Sequence, residues 1–107
     1  MPTSKEYARD ILDRLAELGE VRLRPMMGEY LLYYKDKLAG GLYDDRLLVK
    51  PVKAALVWVK EQTLVTPYPG TRPMLLVENT ADRDYLCGLL RQMEPQLPPP
   101  KPKKAKP

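Results

Sequence analysis

Between Val21 and Lys50 the chain alternates short apolar runs with polar spacers only two or three residues long. Val21 and Leu23 alternate with Arg22 and Arg24, a period-2 pattern that turns one face of a strand to a core and the other to water. Residues 29–34, 38–43 and 46–50 are three further runs, separated by Lys35-Asp36-Lys37 and Asp44-Asp45. Spacers this short cannot carry a crossover. Consecutive strands must return as hairpins, so the sheet is an antiparallel meander. Pro25 lacks a ladder donor, and the first strand is expected to stop there. Gly40-Gly41, in the middle of a run, mark a bulge or the close approach of another backbone.

Helical patterns flank this sheet. Tyr7, Ile11, Leu12, Leu15 and Leu18 recur at helical spacing, with Thr3 and Glu6 as a capping box and Gly19 as the stop. Arg9/Asp13 and Asp10/Arg14 are i,i+4 pairs on its wet face. Val52, Ala55, Leu56 and Val59 predict a second helix with Pro51 in its first turn. Residues 64–66 and 74–78 read as strands joined through the turn Pro67-Tyr68-Pro69-Gly70. Asn79 or Thr80 then caps a last helix, which buries Tyr85, Leu86, Leu89, Leu90 and Met93 and ends at Pro95. The fold class is α+β: two layers, an antiparallel sheet of about five or six strands, and N-terminal, middle and C-terminal helices. Residues 1–96 form one domain, and a body of this size buries roughly 60–68% of the surface its unfolded chain exposes. Residues 97–107, rich in Pro and Lys, are expected to be a disordered tail of polyproline II character.

The net charge of +4 belongs to that tail. Residues 1–96 hold fourteen basic and fourteen acidic residues, so the body is neutral. Full neutralisation of phosphates by Lys101, Lys103, Lys104 and Lys106 would give a salt slope of about −3 to −4, losing affinity about a hundredfold between 50 and 200 mM salt. That is weak, non-specific attraction. The chain has no His and a single Cys, Cys87, which excludes Ser-His-Asp and Cys-His catalysis, a Cys/His zinc site and an intramolecular disulfide. Cys87 beside the last helix's apolar stripe reads as a buried thiol. Asp36, Asp44 and Asp45 read as turn residues rather than as a cation site, and no cofactor is implied. The longest apolar run, residues 54–59, is far below the roughly 20 residues that cross a bilayer, and no leader precedes the first helix. A cytoplasmic protein without membrane contact is expected.

The stretch Arg24-Pro25-Met26-Met27-Gly28-Glu29-Tyr30-Leu31-Leu32-Tyr33-Tyr34-Lys35-Asp36-Lys37, followed by Gly40-Gly41-Leu42-Tyr43-Asp44-Asp45-Arg46-Leu47-Leu48-Val49-Lys50-Pro51, resembles the TfoX N-terminal domain family, also called TfoX/Sxy. The R-x-M-x-G-x-Y-x-x-Y core, the Asp-Lys turn and the L-x-x-K strand end carry the likeness, which covers residues 4–95. It implies an antiparallel sheet with helices packed on it, arranged as in secretion-chaperone-like domains. It also implies a bacterial regulator, since founding members control competence for DNA uptake as transcriptional co-regulators. Longer members carry a second, helical domain where this chain has its Pro/Lys stretch, so the chain resembles a short standalone member.

The expected function is therefore non-enzymatic: a regulatory or adaptor domain acting by protein–protein contact, with a transcription regulator as the partner class and self-association through the same surface as a further expectation. Met26, Met27, Tyr30, Tyr33, Tyr34 and Tyr43 are the candidate contact residues, because Met adapts to varied partners and Tyr supplies rigid amphipathic area. Tyr33 and Tyr34 are neighbours in a strand, so one of them faces away from the core. The alternative is weak nucleic-acid association through the four tail lysines, with Arg22, Arg24 and Lys50 adding a patch. A third reading, a small-ligand binder or unusual enzyme, requires a deep pocket lined by Tyr hydroxyls and a carboxylate.

Overall fold

The computed structural model describes residues 3–60, 62–67 and 69–98. Helix α1 (Lys5–Arg14) runs into a 3-10 turn (Ala16–Leu18) that ends on Gly19, whose φ of +83° suits a residue without Cβ. Its N-cap is Ser4, whose hydroxyl accepts from the Tyr7 N–H at 3.1 Å. Thr3 and Glu6 do not form the expected capping box. The Thr3 amide and hydroxyl instead donate to the Glu29 carboxylate of another hairpin at 3.1 and 2.7 Å. Asp13 likewise pairs with Arg83 at 3.6 Å rather than with Arg9.

Four strands follow as a meander: β1 (Val21–Met26), β2 (Glu29–Tyr34), β3 (Lys37–Leu42) and β4 (Leu47–Val49). β1 continues through Pro25, where the sequence predicts a stop. It can do so because β1 is an edge strand, and a proline amide facing outward forfeits no ladder bond. Each hairpin turns on two residues with positive φ: Met27-Gly28, Lys35-Asp36 and Asp44-Asp45. Positive φ at both positions is the type I′ geometry, whose twist matches the flanking strands. In the β2–β3 pair the register skips Ala39, a bulge beside Gly40. A Cβ on Gly40 would lie 2.1 Å from the Leu48 carbonyl oxygen, so the expected close approach of backbone is present.

Helix α2 (Lys53–Trp58) is capped at Val52, which leaves Pro51 just outside it. Then β5 (Leu64–Val65) and β6 (Met74–Val77) complete a six-stranded antiparallel sheet of order β1-β2-β3-β4-β6-β5. Helix α3 (Arg83–Met93) takes its cap from Asp82, which accepts from the Tyr85 N–H at 3.2 Å, and not from Asn79 or Thr80. The Thr80 amide is committed to the Glu78 carbonyl at 2.9 Å, which keeps the chain turning for two more residues. Pro95 lies in the first turn of a 3-10 segment (Glu94–Gln96), where a missing amide donor costs nothing.

All three helices cover one face of the sheet. Ala8, Ile11 and Leu15 of α1, Ala55 of α2, and Leu86, Leu89, Leu90 and Met93 of α3 pack on Leu32, Ala39, Leu42, Leu47, Val49, Leu75 and Val77. Leu97, expected at the start of the tail, is buried in this core, so the body extends one residue further than the sequence suggests. Within α3, a Cβ on Gly88 would come 2.7 Å from the Trp58 indole, and the glycine is the slot in which that ring lies. Lys37 of β3 ties the sheet to the C-terminal segment through a 2.6 Å ion pair with Glu94. Among the described residues no helix is long and apolar enough to cross a membrane.

Candidate functional site: the uncovered face of the sheet

Register and alternation assign the side chains of the face that no helix covers among the described residues. Val21 and Leu23 pack toward the core, so Arg22, Arg24 and Met26 point the other way. Opposite them on β2 stand Tyr33 and Leu31, then Leu38 and Gly41 on β3, Leu48 on β4 and Leu76 on β6. A row of apolar positions thus crosses the sheet from Leu31 to Leu76. Leu48 is fully buried within it, and the Tyr43 ring reaches to 2.7 Å from where a Cβ on Gly41 would stand.

At one end of this face is the β1–β2 tip. Met27, held at φ +52°, keeps 93% of its surface exposed. The tip is rigidly held from beneath. Glu29 accepts from the Thr3 amide, the Thr3 hydroxyl and the Asp44 amide, while the Gly28 carbonyl accepts from the Thr3 N–H. Asp45 accepts from the Ser4 amide at 2.8 Å, and its own N–H donates to the Thr3 hydroxyl. Two hairpin tips and the start of α1 are therefore knitted into one polar knot. The role of Glu29 left no trace in spacing or pattern, because its partners come from 15 and 26 residues away.

The six candidate contact residues separate in the structure. Met26, Met27 and Tyr33 reach the uncovered side, where the Arg22 guanidinium stacks 4.6 Å from the Tyr33 ring centroid. Tyr30 is half-buried against the core. Tyr34 and Tyr43, at 5% and 7% exposure, are buried and offer no surface to a partner. Tyr34 faces the helices as part of the core cluster, and Tyr43 closes over Gly41. The strand alternation that separates Tyr33 from Tyr34 is present, with Tyr34 as the inward member.

The expected basic patch is not a bare one. Arg22 is engaged by Tyr33 and by Asp36 at 3.5 Å, and Arg24 stands exposed beside it. Burial lowers the pKa of Lys50, which disfavours its charged form. Lys101, Lys103, Lys104 and Lys106 lie outside the described residues. The Cys87 thiol is buried, donates to the Arg14 carbonyl at 3.4 Å and has its pKa pushed up by burial, the opposite of what a nucleophile needs. Among the described residues no group of three or more His, Cys, Asp or Glu is placed to hold a metal ion.

The chain is 35% identical over 107 residues to an uncharacterised 12.7 kDa Spirochaeta aurantia protein from the trpE 5′ region, across 99% of this chain and 93% of the relative. It belongs to the family of that bacterial protein. No family model and no solved structure matches the chain.

Proposed function

We propose that this chain is a non-enzymatic bacterial regulatory or adaptor domain of the TfoX N-terminal kind, acting by protein–protein contact. The contact surface is the β1–β2 tip with the uncovered sheet face beside it, and the partner class is a transcription regulator. The observation that carries this reading is Met27: a flexible, polarisable side chain left 93% exposed on a tip that four hydrogen bonds to Gly28 and Glu29 hold in place. A rigid base under an adaptable apolar anchor is the arrangement that lowers the entropy cost of docking. The half-buried Leu31 and Tyr33 extend that anchor across the sheet. The absence of His from the chain removes the commonest general base, which supports binding over catalysis.

The test is affinity capture from a bacterial lysate with the whole chain and with Met27→Asp, alongside light scattering of the purified proteins. The wild type is expected to retain a discrete partner that Met27→Asp loses while its circular dichroism stays unchanged. Identical retention by both proteins would remove Met27 and the tip from the contact. A concentration-dependent dimer abolished by the same substitution would make a second copy of the chain the partner.

A further inference from the structure

The two edges of the sheet differ in what they offer another chain. β5 is two residues long, and so short an edge is a poor template for pairing. β1 is six residues long and pairs with β2 at every one of them without a bulge. The Lys35 N–H donates to the Glu20 carbonyl at 2.8 Å, which sets the phase of that ladder. Arg22, Arg24 and Met26 therefore turn their backbone groups toward β2, and Val21, Leu23 and Pro25 turn theirs outward. The Val21 and Leu23 amides have no partner outside the ladder among the described residues. A cleft of about 320 Å³, bounded by Gly19, Val21, Arg22 and Lys35, opens at the start of the strand and leaves the edge accessible there.

Side chains along this edge restrict what can pair with it. Val21 and Leu23 pack on the core yet remain half-exposed, as apolar residues at a sheet margin do. Arg22 and Arg24 alternate with them on the opposite face and are exposed. Arg24 makes no ion pair among the described residues, and that of Arg22 with Asp36 is 3.5 Å long and exposed on both sides. Exposed pairs of this kind contribute little, so Arg22 exchanges readily to another carboxylate. A second copy of the chain is a poor match. Antiparallel pairing of two β1 strands about Leu23 sets each Arg22 opposite the Arg24 of the other copy, and like charges directly opposite are destabilising. A strand with acidic residues at alternate positions turns the same geometry into attraction.

We propose that β1 accepts an extended acidic segment of a partner protein as a seventh, antiparallel strand. This rests on the contact reading above and states the form of its partner, since the β1 edge runs into the Met27 tip. The segment alternates apolar and acidic residues. Its carboxylates face Arg22 and Arg24, while its apolar side chains extend the inner face of the sheet past Val21 and Leu23. Its backbone exchanges a pair of hydrogen bonds with Val21 and another with Leu23, and its amide opposite Pro25 donates to the proline carbonyl. Pro25 has no N–H to give in return, so the added ladder ends there, beside the tip.

The probe is an acetylated and amidated nine-residue peptide of alternating valine and glutamate, titrated into the whole ¹⁵N-labelled chain, with a valine–lysine peptide as the control. The glutamate peptide is expected to bind saturably and to slow hydrogen exchange at the Val21 and Leu23 amides at least tenfold. The Arg22 and Arg24 amides, already in the ladder, should not change, and the lysine peptide should do neither. Arg24→Glu, an exposed substitution, is expected to weaken the glutamate peptide by roughly tenfold and to admit the lysine peptide. No saturable binding, binding without protection of Val21 and Leu23, equal binding of both peptides, or unchanged affinity in Arg24→Glu would overturn the proposal. Protection of those two amides that rises with protein concentration in the absence of peptide would overturn it as well, by making a second copy the occupant. Failure of the two readings is distinguishable. Lysate capture lost in Met27→Asp but kept in Arg24→Glu retains the tip and removes the strand, whereas glutamate-peptide binding beside capture indifferent to Met27→Asp retains the strand and removes the tip.

Discussion

Glu29 concentrates three hydrogen bonds on one carboxylate oxygen, from two groups of Thr3 and the Asp44 amide. Bonds to a charged acceptor are stronger than neutral ones, and leaving their donors unpaired adds to the loss. Glu29→Ala is expected to destabilise the domain by about 2 kcal/mol in urea unfolding. It should also weaken partner capture, since the knot fixes the Met27 tip; unchanged stability would show that water replaces the carboxylate freely. Gly40 is constrained by space rather than by charge. A Cβ there would sit 2.1 Å from the Leu48 oxygen and 2.7 Å from the Val49 Cα, both backbone atoms that cannot swing aside. Gly40→Ala should cost roughly 3 kcal/mol, read as a fall in Tm, because strands β3 and β4 must separate to admit it. Of these two residues only the glycine was legible in the sequence. A glycine pair inside a strand pattern announces crowding, whereas a glutamate looks the same whether it is solvated or bonded to distant amides. Alternation also separates Tyr33 from Tyr34 without saying which faces the core; that depends on the side the helices cover.

The three hairpins illustrate how far local rules reach. The two polar spacers required hairpins, and both formed, alongside a third that turns on Met27-Gly28; yet the two spacer turns contain no glycine. Lys35-Asp36 and Asp44-Asp45 adopt φ between +53° and +64° without a glycine. A left-handed conformation costs a non-glycine residue about 1–2 kcal/mol, less for Asp. Lys35→Asn combined with Asp36→Gly supplies the preferred type I′ pair at a tip whose ion pair with Arg22 is exposed. The double variant is expected to gain about 1 kcal/mol and raise Tm by roughly 4–8 °C. A drop in Tm would mean that the Lys35 contact with the Tyr34 ring, at 5.5 Å, outweighs the backbone strain. Element existence and type were legible throughout because hydrophobic period is a local property. The ends were less so: Ser4 caps α1 in place of Thr3, Asp82 caps α3 in place of Asn79 or Thr80, and β1 runs through Pro25. Two were decided by something distant in sequence, a carboxylate from another hairpin for α1 and the absence of a neighbouring strand for β1, and the cap of α3 by a local turn from Thr80 to Glu78.

At the scale of the whole molecule, a two-layer body has no helix on one sheet face among the described residues and relies on long-range ties to close its ends. Lys37–Glu94 is the shortest of them: it joins β3 to the segment after α3, across 57 residues, with the Lys37 ammonium also donating to the Glu94 carbonyl at 3.3 Å. The hydrogen bond from Lys37 holds the Glu94 pKa below its ordinary value, outweighing the opposing effect of desolvation. A carboxyl whose folded pKa is depressed stabilises the fold where it is ionised in both states, and that contribution disappears as pH falls through the unfolded value and then the folded one. Lys37→Met removes the cause and keeps the stem's volume. Wild type should therefore be more stable than Lys37→Met at pH 7, with the difference holding to about pH 5 and closing as pH drops below the ordinary glutamate value of about 4.3. Urea unfolding midpoints of both proteins between pH 7 and pH 2.5 measure that difference. A gap that stays constant over the whole range would mean that Lys37 contributes through packing and its bond to the Glu94 carbonyl, with the ion pair adding nothing.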